Sequence, residues 1–138
     1  FSVGPPGLRF RGFGTREVAA AARRRPADLT ARTSLASLAG VLARASLLVA
    51  NDSGTSHLAA AVRCPTVAVF GPTDPALTFP YEDGRRFLSV SAPIDHPRPC
   101  FDLSCGSDHG FGSIGPGDVL GAAQGVIVVP MVASTARM

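Results

Sequence analysis

The sequence predicts an α/β domain whose parallel sheet is covered by helices. Three observations lead there. Helical patterns alternate with short apolar runs through the middle of the chain. Two of those runs, Leu47-Leu48-Val49-Ala50 and Thr66-Val67-Ala68-Val69-Phe70, are continuous rather than alternating, which suits strands buried on both faces. The 138 residues, 46% of them apolar, suit one domain with a single core.

Element by element, Thr15 can cap a helix running to about Arg25, with Pro26 stopping it and Val18, Ala19 and Ala22 facing inward. Ser34 can cap a second helix, on which Leu35, Leu38, Val41, Leu42 and Ala45 share one face. The first strand, Leu47–Ala50, is broken by Asn51-Asp52-Ser53-Gly54. Helix returns from Thr55 to Val62, closed by Pro65, and the second strand follows over 66–70. Gly71–Pro75 reads as a loop, Phe87–Val90 as a third strand and Pro93–Gly112 as irregular. After Pro116, Val119, Leu120, Ala123, Val126 and Ile127 mark a last amphipathic helix. The segment 1–27 has no strand-like start, 28–127 forms the domain proper, and 128–138 is a tail.

Composition narrows the function classes. Net charge is +3, and Arg9, Arg11, Arg16, Arg23, Arg24, Arg25 and Arg32 make the amino-terminal third basic. Such a face can meet an anionic membrane surface, although a solvated helix face has the same composition. No aromatic-rich basic stretch supports stacking on nucleic acid, so no nucleic-acid partner is expected. No apolar run approaches the ~20 residues that cross a bilayer. No signal peptide is recognisable, and Cys64, Cys100 and Cys105 do not make a disulfide framework, so a cytoplasmic location is expected.

The densest chemical signal is Asn51-Asp52-Ser53-Gly54-Thr55-Ser56-His57. It lies where a buried strand gives way to a helix, the position at which open α/β sheets bind ligands. The first amides of a helix lack intrahelical partners, and with the helix dipole they attract phosphate. Gly54 removes a side chain, letting an anion approach the backbone and leaving room for a positive φ. Ser53 and Thr55 add hydroxyl donors. Asp52, acceptor-only when ionised, suits sugar hydroxyls rather than phosphate. His57, one turn into the helix, can face the same place. The competing reading is structural: Asp, Ser and Gly are ordinary turn residues, and Asp52 or Thr55 can simply cap the helix.

Other segments weigh on that choice. Asp28-Leu29-Thr30-Ala31-Arg32-Thr33-Ser34-Leu35, Leu38-Ala39, Leu47 through Ala61, and Pro65 through Pro75 occur in order. Together they resemble the lipopolysaccharide heptosyltransferase family, glycosyltransferase family nine. The hallmark is Asp52, Ser53, Gly54, His57 and then the small residues Ala59, Ala60 and Ala61, joined by the Phe70–Pro75 turn. Pro99-Cys100 and Cys105 resemble a cysteine-bearing loop of many members. The resemblance spans roughly 28–123 and implies a partial Rossmann-like domain, the carboxy-terminal half of a two-domain GT-B glycosyltransferase. That half binds the donor, ADP-heptose, through Asp52, Ser53, Gly54, Thr55 and His57. The other half holds the lipopolysaccharide core acceptor and the catalytic base, and the reaction inverts the anomeric centre. No catalytic residue, cofactor or metal is then expected in this chain, and the chain alone is expected to be inactive.

The pattern also departs from the family. Acceptor-domain residues, the early strands of the donor domain and a basic residue near the phosphates are missing, and Phe111 and Gly112 lie where a further cysteine is usual. The chain therefore reads as a fragment or a damaged reading frame, peripheral at the inner face of the inner membrane. A different class remains open, a nucleotide- or phosphate-binding module without transfer chemistry; an upstream segment encoding a second Rossmann-like domain would favour the enzyme. Finally, His96, Cys100, Cys105 and His109 have three, four and three residues between them. Two thiols and two imidazoles can hold zinc. Because the spacing is not that of a standard finger, the loop is read as metal-free, with reduced thiols.

Overall fold

A computed structural model describes Leu29, residues 31–79, 83–102 and 104–127. The helix expected over 15–25 and the tail at 128–138 lie outside these residues. Two compact units divide the chain, Phe1–Leu38 and Ala39–Met138. In the first, a turn closed by the Arg32 amide donating to the Leu29 carbonyl (3.1 Å) leads into helix α1, Leu35–Leu42, of which residues 39–42 belong to the second unit. Ser34 caps it as expected, its Oγ accepting from the Ser37 amide at 3.1 Å.

The second unit contains β1 (Leu48–Asn51), α2 (Gly54–Ala61), β2 (Thr66–Phe70), α3 (Pro75–Thr78), β3 (Phe87–Ser91) and α4 (Pro116–Ile127). The strands form a parallel sheet in the order β1-β2-β3, with Leu48 opposite Thr66 and Thr66 opposite Phe87. The period-two alternation of β2 assigns its side chains to two layers. Ala68 and Phe70 pack with Ala60 of α2 and with Phe79 and Phe87. Val67 faces the other way, against Ala123 and Val126 of α4. Helices thus cover both faces of the central strand, and this is why β2 is apolar after Thr66, whose buried hydroxyl donates to the Cys64 carbonyl at 2.9 Å. Phe70 and Phe79 meet edge-on, with ring centroids 5.6 Å apart.

Three expectations need correction. The first strand is not buried on both faces: Val49 is 43% exposed. Its register puts Val49 on the side of α4, and α4 packs over β2 and β3 rather than over β1. Second, the apolar helix patterns include Leu35 and Leu120, but these two are 74% and 59% exposed. Leu35 opens α1, where only Leu38 and Leu42 of the stripe are buried, and the helix ends at Leu42 before Ala45. On α4 the buried positions are Ala123 and Val126, three apart, which leaves Leu120 off the seam. Third, the loop read over 71–75 ends at Asp74, because Pro75–Thr78 forms a helical turn, capped by Asp74 Oδ1 accepting from the Ala76 amide at 2.9 Å. Asp followed by Pro at the first helical position is its sequence signal.

Candidate functional site at the carboxyl edge of the sheet

β1 delivers the chain to the carboxyl edge, where the Asp52 amide makes one last ladder-like bond to the Val69 carbonyl (3.1 Å). Ser53 then adopts an extended backbone and stands as the N-cap of α2. Ser56, fully buried in the first turn, reaches back to it. Its Oγ donates to the Ser53 carbonyl at 2.6 Å and accepts from the Ser53 amide at 3.3 Å. The cap is therefore built by Ser53 and Ser56, and neither Asp52 nor Thr55 performs it.

Asp52 is engaged elsewhere. Its Oδ2 accepts from the Thr78 hydroxyl at 3.1 Å, and that hydroxyl also donates toward the Asp74 carbonyl at 3.0 Å. Among the described residues Oδ1 has no partner. Asp52 is half-buried and Gly54 exposed. A Cβ added at Gly54 would meet nothing within 4 Å, so the turn faces open space. Gly54 does not have a positive φ, which removes the conformational half of the argument for glycine and leaves the spatial half. Gly54 and Thr55 are the first two residues of α2, and their amides have no intrahelical acceptor. His57 is exposed on the same helix. The structure thus brings Asp52, Ser53, Gly54 and Thr55 into one turn at the sheet edge. Ser56 and Thr78 are its unanticipated members. The serine spacing of a capping box could have shown Ser56, whereas no local signal marks Thr78, 26 residues from its partner.

A second cluster lies in the irregular segment after β3. One ligand atom from each of His96, Cys100, Cys105 and His109 falls within 4.8 Å of the other three. Arg98 fastens this loop down: its guanidinium donates to the carbonyls of Gly71 (2.6 Å), Ala92 (2.7 Å) and His109 (3.4 Å). The Cys100 amide donates to the Pro72 carbonyl at 2.8 Å. Phe111 packs so tightly on Gly71 that a Cβ there would collide with its ring. Cys64 is separate from the cluster. It is buried, and burial pushes its thiol pKa up, against a smaller lowering by a backbone bond to Leu48.

A helix-flanked parallel sheet with a helix N-terminus and an acidic turn at its carboxyl edge is a partial Rossmann-like domain of the kind found in glycosyltransferases. The sequence profile of glycosyltransferase family 9 (heptosyltransferase) matches residues 14–108, more than half of the chain. The chain belongs to that family. It is 43% identical over 74 residues to lipopolysaccharide heptosyltransferase 1 of Pseudomonas aeruginosa, covering 54% of this chain and 20% of that protein. Identity to lipooligosaccharide heptosyltransferase 2 of Haemophilus influenzae is 41% over 63 residues, covering 46% and 18%. Lipopolysaccharide heptosyltransferase 1 of Escherichia coli K12 is 41% identical over 69 residues, covering 50% and 21%. The matches span about a fifth of the length of these curated relatives. No solved structure matches the chain. Among the described residues no helix is long and apolar enough to cross a membrane.

Proposed function

We propose that this chain is the donor-binding part of an inverting heptosyltransferase that moves heptose from ADP-heptose to the lipopolysaccharide core. The observation that carries the reading is the division of labour in the 52–57 turn. Ser53 and Ser56 cap α2, so Asp52 is not consumed as a cap; the Gly54 and Thr55 amides have no intrahelical acceptor, and the space beside Gly54 is open. Those amides and the dipole of α2 suit the diphosphate. Asp52, steadied on one oxygen by Thr78, offers the other to a sugar hydroxyl. In the reaction a base from the acceptor domain takes the acceptor hydroxyl proton. The oxygen attacks the anomeric carbon, and the carbon–oxygen bond to the diphosphate breaks, leaving its electron pair on ADP. The role of this chain is to hold the donor in line and to stabilise the charge gathering on the leaving diphosphate. On this reading the base belongs to the acceptor domain, and the expected outcome for this chain alone is binding of the donor without transfer of heptose. A lipid-linked acceptor places the complete reaction at the cytoplasmic face of the inner membrane, with the arginine-rich amino end suited to peripheral contact.

Asp52→Ala tests the sugar contact. Loss of a hydrogen bond to a charged group costs about 1.5–3 kcal/mol, roughly ten- to a hundred-fold in affinity. The variant should lose that much affinity for ADP-heptose in calorimetry while binding ADP as before. Equal weakening of both ligands would assign Asp52 a structural role and favour a phosphate-binding module without sugar recognition.

A further inference from the structure

From the 96–109 loop we infer a structural zinc site formed by His96, Cys100, Cys105 and His109, independent of the donor-binding reading. Four ligand atoms within 4.8 Å of one another are already near the arrangement zinc requires. With Zn–S bonds of about 2.3 Å and Zn–N bonds of about 2.0–2.1 Å, tetrahedral ligands stand roughly 3.3–3.8 Å apart. Cys105 Sγ and His96 Nε2 are at 3.9 Å, so tenths of an ångström close that edge.

The surroundings favour metal over four independent polar side chains. His109 Nε2 is buried and has no hydrogen-bond partner, a position that costs free energy unless a ligand occupies it. His109 itself sits at φ +55, in the left-handed region, and this is the conformation that carries its ring to 5.4 Å from that of His96. On the other imidazole, Nδ1 of His96 lies 2.8 Å from Asp95 Oδ1. A proton on Nδ1 donates to that carboxylate and leaves Nε2 with its lone pair toward the thiols, the usual support of a metal-bound histidine.

Hydrogen-bonded turns also accompany the ligands in the loop. Asp102 accepts from the Ser104 amide (2.8 Å) and hydroxyl (2.7 Å), turning the chain between the two cysteines. Asp108 accepts from the amides of Gly110 and Gly112, both at 2.8 Å, turning it after the last ligand. Arg98 ties the whole loop to the end of β2 and to the segment after β3. Binding would release one proton from each thiol to solvent, and two thiolates then neutralise Zn²⁺, so the half-buried site carries no net charge. A single-ion set of two sulfurs and two nitrogens in tetrahedral array selects zinc. The metal would clasp the loop that lies on Gly71 and Pro72, at the same edge of the sheet as Asp52.

Elemental analysis of the full chain, purified under reducing conditions without chelator, should give about one zinc per chain. The Cys100→Ser/Cys105→Ser double variant should lose it, and Cys64→Ser should keep it. Replacing zinc by cobalt in the unaltered chain should give the intense visible absorption and thiolate charge-transfer band of a tetrahedral site; His109→Ala should weaken both. Chelation should lower Tm by several degrees. The inference fails if zinc stays below about one ion per five chains after refolding with the metal. It fails equally if the double variant retains zinc, if cobalt gives only the pale octahedral spectrum, or if Cys100 and Cys105 are found joined as a disulfide.

Discussion

Asp83 and Asp52 are both carboxylates in loops, and what each one touches separates them. Asp83 Oδ1 accepts from the amides of Arg85 (2.9 Å), Arg86 (2.6 Å) and Phe87 (2.9 Å), fastening the turn that leads into β3. Slight burial raises its pKa, but the three amide donors outweigh that and hold it below the usual carboxylate value. A lowered folded pKa contributes stability above the unfolded value of about 3.9, and that contribution is lost as pH falls through the folded value. Asp83→Asn keeps an acceptor and removes the charge. The variant should therefore melt below the unaltered chain at pH 7, and the gap should close as pH falls under about 4. A gap independent of pH would show that charge is not what the turn uses. Asp52 has one oxygen on Thr78, and we propose that the other serves a ligand.

At the scale of elements, α2 shows what sequence can and cannot reveal. Its small-residue run 59–61 allows close approach to the sheet, and Ala59 and Ala60 are buried. The strand–turn–helix order was legible because apolar runs and breakers are local signals. The holder of the cap was not, since serine, threonine and aspartate at neighbouring positions are interchangeable in pattern. Only coordinates show Ser56 donating backwards and Asp52 turned to Thr78. Ser56→Ala removes both of its bonds and strands the Ser53 amide, at a cost of roughly 0.5–2 kcal/mol. Thermal melting should fall by a few degrees, and an unchanged Tm would place the cap elsewhere. Likewise the one-face patterns of α1 and α4 located the helices but overstated their buried stripes. Periodicity gives a face, while the width of the seam depends on which strands lie beneath it.

For the whole molecule, the parallel sheet and its carboxyl-edge turn were readable because α/β architecture follows from alternating elements, and the family motifs lie on those same elements. The gathering of His96, Cys100, Cys105 and His109 was only half readable. Residue types and spacing showed the candidates, but the Arg98 anchor is a contact between residues 27 apart, and it works together with local turns at Asp102 and Asp108. The central claim, that the Gly54 turn cradles the diphosphate of a sugar nucleotide, is tested by titrating ADP-heptose into the chain and into Gly54→Val, with calorimetric detection. Valine fits the open space at this position and meets no positive-φ strain, so the fold should survive with its Tm nearly unchanged. Its branches, however, would occupy the approach to the amides. One donor should bind per unaltered chain, and Gly54→Val should weaken binding at least ~10-fold, the loss of one charge-assisted hydrogen bond or more. Equal affinity in the two proteins, or no binding of ADP-heptose to the unaltered chain, would contradict the account.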